Sequence, residues 1–193
     1  MLFKEINKFE IILASQSPRR QQLLKDLGVD YTIKTKNIEE DFPSNLKAGE
    51  IPLYLCNKKA KAYENSLNSN TILITADTVV WVNNQVLNKP KDNIDAKRML
   101  KLLSGNKHEV YTGVCLKSNN KTKSFCVSTK VFFKKLSEQE IDYYINKFKP
   151  FDKAGSYGVQ EFIGYIGIEK IEGSYYNVMG LPVKELYEEL LNF

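Results

Sequence analysis

Hydrophobic and polar residues alternate along the chain in a way that predicts strands and amphipathic helices following one another almost to the end. An apolar run at residues 9–14 predicts a strand, and the segment from Ser17 to Gly28 predicts a helix with three leucines on one face. The same periodicities predict further strands, at residues 31–36, 71–82, 85–87, 109–116 and 124–133. They also predict further helices, at residues 51–63, from Asp92 or Asn93 to Ser104, at 137–148 and from Pro182 onward.

This order of elements predicts an α/β protein with a mixed, twisted sheet and flanking helices. Asn83 and Asn84 are typical of a tight hairpin between two of the strands. After residue 150 the chain becomes rich in glycine, and we expect further strands between these glycines. The sequence contains neither a GxGxxG fingerprint nor a Walker A lysine motif, which removes the main support for a dehydrogenase or a P-loop enzyme.

Composition narrows the class of protein further. The 193 residues fit a single domain, residues 1–193, and the apolar content of 42% is that of a globular protein. No apolar run is long enough to span a bilayer and the N-terminus lacks an export signal, so we expect no membrane association and a cytoplasmic location. Cys56, Cys115 and Cys126 lack paired spacing, and we interpret them as buried, reduced thiols.

Charge gives a weaker indication of partners. The net charge of +5 is compatible with an anionic small molecule, while lysines are dispersed over the chain rather than gathered into a basic tail. We therefore expect no stable nucleic-acid partner. A nucleic-acid-binding module stays an alternative, which steeply salt-dependent binding to an oligonucleotide would support.

The segment at residues 15–20 has the chemistry of an anion site. A strand that leads into a helix start exposes backbone N–H groups and a partial positive charge, to which Ser15, Ser17, Arg19 and Arg20 add hydroxyl and guanidinium groups. An ordinary strand, turn and helix with solvated arginines is the alternative.

Three other positions carry candidate chemistry. Glu39 begins an acidic cluster in a loop, which is either a solvated surface or a source of oxygen ligands for a divalent cation. Lys59 borders the apolar face of its predicted helix, so its side chain either follows the protein surface or reaches into a site. Asp77 ends a buried strand, where a carboxylate needs a partner, and we favour a catalytic role over a structural salt bridge. His108, the single histidine, is interpreted as structural.

Seven separated stretches of the sequence together resemble the Maf family of nucleoside triphosphate pyrophosphatases and cover nearly the whole chain. They are LASQSPRRQQLL at 13–24, IEE at 38–40, ADTVV at 76–80, NKP at 88–90, LLSGNKHEVYTGV at 102–114, DKAGSYGVQ at 152–160 and GSYYNVMGLPV at 173–183. Each stretch alone is a weak signal, whereas seven in this order are highly specific.

The resemblance implies hydrolysis of a nucleoside triphosphate between the α- and β-phosphates, with a divalent cation, Mg²⁺ or Mn²⁺, as cofactor. By similarity, Asp77 is the proton acceptor for the attacking water, and Glu39 and Asp77 are metal ligands. The resemblance further implies that four residues bind the substrate phosphates: Ser17, Arg20, Lys59 and Lys89.

Substrate choice also follows from the resemblance. In the family group that acts on dTTP and UTP, an arginine, a threonine and a glutamine stand where this chain has Arg19, Thr78 and Gln160. The group that prefers methylated GTP differs at these positions, so a pyrimidine substrate is predicted. One departure is Glu161, because the family pattern has glycine after the glutamine.

The family likeness further implies an elongated, two-lobed architecture similar to inosine triphosphate pyrophosphatases, with a cleft between the lobes, and a homodimer. Two alternatives differ in function. One is a regulator of septum formation that acts through a protein partner, and the other is a pyrophosphatase with a different base preference, such as methylated GTP. Turnover of a panel of nucleotides distinguishes them.

Overall fold

A computed structural model describes residues 6–193. The strands are β1 (Glu10–Leu13), β2 (Thr32–Ile33), β3 (Thr71–Val82), β4 (Gln85–Leu87), β5 (Lys107–Lys117), β6 (Thr122–Phe133) and β7 (Ile168–Glu172). The α-helices are α1 (Pro18–Asp26), α2 (Glu50–Lys61), α3 (Asn93–Leu103), α4 (Glu138–Phe148), α5 (Phe162–Gly167), α6 (Tyr175–Met179) and α7 (Val183–Leu191). Short 3₁₀ helices lie at Ile6–Lys8, Glu64–Ser66 and Ala154–Ser156.

The seven strands form a mixed sheet, which confirms the predicted fold class. Their order is β2-β1-β3-β5-β6-β7, and β4 pairs with β3. Strand β1 runs parallel to β2 and β3, with Leu13 opposite Ile74, whereas the pairs β3–β4 and β6–β7 are antiparallel. The mixture arises because helices α1 and α2 separate the parallel strands, while a two-residue turn joins β3 to β4.

The chain divides into two compact units. The first contains the chain up to Asp77, Thr112–Val127 and Gly180–Phe193. One of its hydrophobic clusters joins the inner face of α2, through Cys56 and Ala60, to Ile12, Leu73 and Cys115 on the strands. This cluster packs α2 against β3, the strand that contains Asp77.

The second unit contains Thr78–Tyr111 and Ser128–Met179. Its core collects the inward faces of α3 and α4 with residues of β3 to β6 and the glycine-rich segment. The buried members include Ala96, Met99, Leu100 and Leu103 of α3, as the 3.6-residue periodicity predicted, and Ile141, Tyr144 and Ile145 of α4.

Local sequence signals of turns and caps are confirmed in the second unit. Asn83 and Asn84 both have positive φ, 49° and 58°, as a tight two-residue hairpin requires. Asp92 caps α3 by accepting a hydrogen bond from the backbone N–H of Asp95. Ser137 and Glu140 form the predicted capping box of α4.

Three details of the predicted secondary structure were wrong. The strand expected at residues 31–36 shortens to Thr32–Ile33, both exposed at the edge of the sheet. The glycine-rich part forms the short helices α5 and α6 and one strand, β7, where only strands were expected. Leu191, predicted to face inward on α7, is 44% exposed.

None of the helices in the described residues combines the length and apolar character that crossing a bilayer requires.

Candidate active site

The junction of β1 and α1 is built by the serines that the sequence analysis singled out. The Ser17 hydroxyl accepts a hydrogen bond from the backbone N–H of Arg20 at 3.5 Å, and Pro18 occupies the first helical turn. The Ser15 hydroxyl accepts one from the backbone N–H of Ser17 at 3.2 Å. Ser17 therefore caps α1 as predicted, and the helix start directs its partial positive charge toward this junction.

Arg20 is anchored to two distant parts of the first unit. Its Nε donates to the carbonyl oxygen of Gly180 at 2.8 Å, and its Nη1 donates to that of Ala76 at 2.9 Å. The second contact places the guanidinium group beside the middle of β3, next to Asp77. Its charge therefore acts on the Asp77 carboxylate.

Asp77 and Lys59 form the centre of the candidate site. Asp77 is only 7% exposed, and its Oδ1 accepts a hydrogen bond from the Lys59 Nζ at 2.5 Å. Lys59 thus reaches from the edge of α2 to the Asp77 carboxylate, whereas the alternative was a side chain that follows the protein surface. The pairing also satisfies the physical expectation that a buried carboxylate needs an opposite charge.

The position of Lys59 is fixed by contacts between α2 and the sheet. The buried Thr75 hydroxyl donates to the backbone oxygen of Cys56, one helical turn before Lys59, at 2.7 Å. Gly113 of β5 approaches the start of α2 so closely that a Cβ there would lie 2.4 Å from the Pro52 oxygen. A glycine at this position lets helix and sheet pack at the distance that brings Lys59 to Asp77.

A second carboxylate shares the Lys59 ammonium group. The Nζ donates to Oε1 of Glu40 at 2.7 Å while it also donates to Asp77. Glu39, which the sequence analysis named as a metal ligand, is exposed, and its charge acts on the neighbouring Lys58. The structure therefore places Glu40, the next residue of the same motif, against the central lysine.

Burial is the largest influence on the pKa values of Asp77 and Arg20. It raises the pKa of Asp77 above the ordinary aspartate value, while the charges of Lys59 and Arg20 act in the opposite direction. Burial likewise lowers the pKa of Arg20. A carboxylate with a raised pKa is a stronger proton acceptor than an ordinary aspartate, which suits a general base.

Three of the remaining predicted site residues belong to the second unit. Thr78 follows Asp77 directly on β3 and is half-buried, whereas Lys89 and Gln160 are exposed in loops. The backbone N–H of Gly155 donates to the oxygen of Asn88 at 3.1 Å, so the loop of Lys89 is tied to the glycine-rich segment. Arg19 lies on α1 in the first unit beside Arg20.

His108 and the cysteines occupy structural positions. The His108 Nε2 and the Tyr157 hydroxyl are 2.8 Å apart, and the ring packs edge-on against Phe133 in the core, which confirms its structural interpretation. Cys56 and Cys115 are buried free thiols, whereas Cys126 is only half-buried.

A divalent cation would find oxygen ligands here. The carboxylates of Asp77 and Glu40 both pair with the Lys59 ammonium group. The position between these two carboxylates therefore already holds a positive charge. Within residues 6–193 no group of three or more acidic, histidine or cysteine side chains is arranged to hold a metal ion. The two carboxylates of Asp77 and Glu40 fit Mg²⁺ or Mn²⁺, which need only one or two protein carboxylates when phosphate and water oxygens complete the coordination shell.

Sequence reasoning missed Glu40 and the backbone partners of Arg20. The signal for Glu40 was present, since two glutamates are adjacent in the motif at 38–40 and only the fold distinguishes them. The Gly180 oxygen could not be found from residue types, because a backbone carbonyl carries no mark in the sequence.

Comparisons with known proteins agree over the length of the chain. The family model described as Maf-like protein matches residues 10–193. A dTTP/UTP pyrophosphatase of Phocaeicola vulgatus is 53% identical over 190 residues, which cover 98% of this chain and 98% of the relative. A dTTP/UTP pyrophosphatase of Parabacteroides distasonis is 47% identical over 193 residues, covering 100% of both chains.

Among solved structures, the Ham1 protein of Staphylococcus aureus is similar with a TM-score of 0.56 and 16% sequence identity. The match covers 95% of this chain and 98% of that chain. At this identity the likeness supports the fold alone.

Proposed function

The chain belongs to the Maf family, and from this premise we propose that it hydrolyses dTTP and UTP to the nucleoside monophosphate and pyrophosphate. The observation that carries the proposal is the pair of the buried Asp77 and the partly buried Lys59, with Glu40 on the same ammonium group and Arg20 bonded to the neighbouring Ala76 oxygen. Relatives about half identical over their full length bear the name dTTP/UTP pyrophosphatase, which supports the choice of substrate.

In the proposed reaction, water attacks the α-phosphorus while its proton passes to a carboxylate oxygen of Asp77. The bond between the α-phosphorus and the bridging oxygen breaks, and pyrophosphate leaves with the electron pair. Lys59 orients the Asp77 carboxylate through the 2.5 Å hydrogen bond, and its charge stabilises negative charge that develops on the phosphate oxygens.

Phosphate binding falls to cationic groups and to the start of α1. Arg20 is held rigidly by the Gly180 and Ala76 oxygens, so little conformational entropy is lost when it contacts a phosphate. Ser17 supports the helix start whose backbone N–H groups favour anions. Lys89 is the remaining residue that binds the substrate phosphates in this proposal.

Asp77 and Glu40 would hold the divalent cation, Mg²⁺ or Mn²⁺. The family resemblance implies Glu39 as the second ligand in place of Glu40. When bound, such an ion neutralises phosphate charge and polarises the phosphorus–oxygen bonds. Lys59 would keep both carboxylates in place through its two hydrogen bonds.

Base selection is assigned to Arg19, Thr78 and Gln160. Their side chains can both donate to and accept from the edge of a pyrimidine, or in the case of arginine donate only. We further propose that the enzyme acts in the cytoplasm and that it is a homodimer. Sedimentation velocity would test the dimer through the mass of the particle.

The test is a panel of nucleoside triphosphates incubated with Mg²⁺ or Mn²⁺, with released pyrophosphate and nucleoside monophosphate both measured. We expect dTTP and UTP to be turned over with the highest kcat/KM. Preference for methylated GTP would overturn the substrate assignment, and absence of turnover for every nucleotide would favour a regulator that acts by binding a partner.

A further inference from the structure

The segment at 157–161, which carries Gln160, is more firmly anchored than its glycine content suggests. Tyr157, Gly158 and Val159 are buried, and Gln160 is the exposed residue that follows them. Tyr157 is fixed at the start of the segment by its contact with the buried His108 at 2.8 Å. The segment therefore presents one exposed amide side chain from an otherwise buried backbone.

Glu161, the residue that departs from the family pattern, anchors the other end. Its Oε1 lies 3.0 Å from the Nζ of Lys153, and its Oε2 accepts a short hydrogen bond from the Tyr144 hydroxyl. The Tyr144 hydroxyl in turn accepts a hydrogen bond from the backbone N–H of Gly158 at 3.0 Å. One hydroxyl thus joins the two residues that flank Val159 and Gln160.

These contacts are strong because two of the groups that form them, Tyr144 and Lys153, are buried. Tyr144 is 0% exposed and Lys153 is 8% exposed, so water competes little for either group. Burial and the neighbouring Glu161 carboxylate raise the pKa of Tyr144, so its hydroxyl stays protonated and donates to Glu161. A Cβ on Gly158 would lie 2.7 Å from the Glu161 side chain, which shows how closely the two residues pack.

A further restraint acts on Gln160 itself. Its backbone oxygen accepts a hydrogen bond from the Tyr165 hydroxyl at 2.5 Å, while the backbone N–H of Tyr165 donates to the Glu161 oxygen at 3.0 Å. These two contacts restrain the backbone at Gln160 and Glu161.

We propose that Tyr144, Lys153 and Glu161 form a clamp that positions Gln160 and thereby sets the selectivity of the enzyme among nucleobases. The inference rests on the proposed function, in which Gln160 contacts the base. The three clamp residues are positioning residues, because they act on the base through the loop and not by touching it. A hydrogen bond to a base edge requires correct placement of the amide, so a looser loop loses discrimination before it loses chemistry.

The test compares Tyr144→Phe, which removes only the hydroxyl, with Glu161→Gln, which keeps a hydrogen-bond acceptor for Tyr144 but removes the charge facing Lys153. Tyr143→Phe is the matched control, since it removes a hydroxyl from the adjacent, 45% exposed residue on the same helix. Gln160→Ala reports separately whether the amide reads the base. The readout is the ratio of kcat/KM for dTTP over dGTP, with circular dichroism to verify folding.

We expect Tyr144→Phe to lower this ratio about 10-fold, mainly through KM for dTTP, and Glu161→Gln to have a smaller effect in the same direction. Tyr143→Phe should leave the ratio unchanged. A ratio that stays at the wild-type value in both clamp variants, while Gln160→Ala lowers it, would overturn the clamp and leave the proposed function intact.

If Gln160→Ala also leaves the ratio unchanged although wild-type enzyme hydrolyses dTTP, Gln160 does not read the base and the clamp proposal is wrong. Absence of wild-type turnover would instead refute the proposed function. If Tyr144→Phe fails to fold, the comparison of Glu161→Gln with Tyr143→Phe decides the question.

Discussion

Asp77 shows how one residue is made reactive by its surroundings. Burial favours its neutral form, while the ammonium group of Lys59 and the guanidinium group of Arg20 favour the carboxylate. The net result is a raised pKa, so this carboxylate is more basic than an exposed aspartate. Structural ion pairs in a protein surface rarely combine this degree of burial with two cationic neighbours.

Replacement of Asp77 by asparagine should lower kcat by about 10²–10⁴-fold, because the amide keeps the shape but accepts no proton from water. Asp41→Asn is the control, since Asp41 is an exposed aspartate paired with Lys58 outside the site. Pyrophosphate release under saturating dTTP measures both. Near-normal turnover by the Asp77 variant would remove this residue from the mechanism.

Glu40 and Glu39 allow a sharper test at the same scale. Both side chains are exposed, but Oε1 of Glu40 lies 2.7 Å from the Lys59 Nζ, whereas the charge of Glu39 acts on Lys58. We expect Glu40→Gln to lower kcat/KM about 10-fold or more and to raise the Mg²⁺ concentration needed for half-maximal rate. Glu39→Gln should stay near wild type, and the opposite ranking of the two variants would restore Glu39 as the metal ligand.

At the scale of elements, α4 carries both an optimal start and a strained end. Its capping box satisfies backbone donors at the N-terminus. The C-cap residue that follows it, Lys149, instead has φ 47° and ψ 62°, a left-handed conformation that usually belongs to glycine. Pro150 follows and prevents the helix from continuing. The helix therefore ends at a residue that is not well suited to its own backbone.

Lys149→Gly should stabilise the protein by about 0.5–1 kcal/mol. It relieves roughly 1–2 kcal/mol of backbone strain, and the greater freedom of glycine in the unfolded chain offsets part of this gain. Asn146→Gly, within the same helix, should instead destabilise slightly, by roughly 0.3 kcal/mol. Urea unfolding of both variants measures the difference, and equal signs for the two would refute the strain at Lys149.

At the scale of the whole molecule, each compact unit has its own hydrophobic cluster. The first unit brings together Arg20, Glu40, Lys59 and Asp77, and the second carries Lys89 and Gln160. The two contacts of Arg20 with Gly180 and Ala76 join three separate parts of the chain, so the position of Arg20 depends on long-range packing and not on a local motif.

His108 makes the stability of the molecule depend on pH. Burial lowers its pKa to about 3, whereas the unfolded chain has the ordinary value of 6.5. Below pH 6.5 the unfolded state therefore binds a proton that the folded state does not, and stability is lost as the pH falls toward 3. Between pH 7 and pH 5 this loss should amount to about 2 kcal/mol.

The measurement is urea unfolding of wild type and His108→Gln at both pH values. His108 is the single histidine of the chain, so the variant removes the whole contribution of this residue type. The pH-dependent loss should be about 2 kcal/mol smaller in the variant, even though the variant is less stable overall. An identical loss in the two proteins would show that His108 is accessible to protons in the folded state.

Periodicity and turn chemistry were sufficient to predict most elements of this protein from its sequence. Helix α3 was recognisable because its buried residues repeat at helical spacing, and the β3–β4 hairpin because two asparagines tolerate positive φ. The short helices α5 and α6 were missed, since glycine-rich segments carry little periodicity and their conformation depends on contacts such as that of Asn177 with Thr129.

For the site, the sequence alone determined which residue types are present and, through the family resemblance, which of them to examine. The resemblance implied Glu39 as a metal ligand, and the sequence left open whether Lys59 follows the surface or reaches Asp77. Tertiary structure places Glu40 against Lys59 and Lys59 against Asp77, because the close packing of α2 on the sheet, permitted by Gly113, fixes where Lys59 ends. Hydrogen bonds and desolvation act over a few ångströms in space, and only the folded chain brings residues 20, 40, 59 and 77 within that distance.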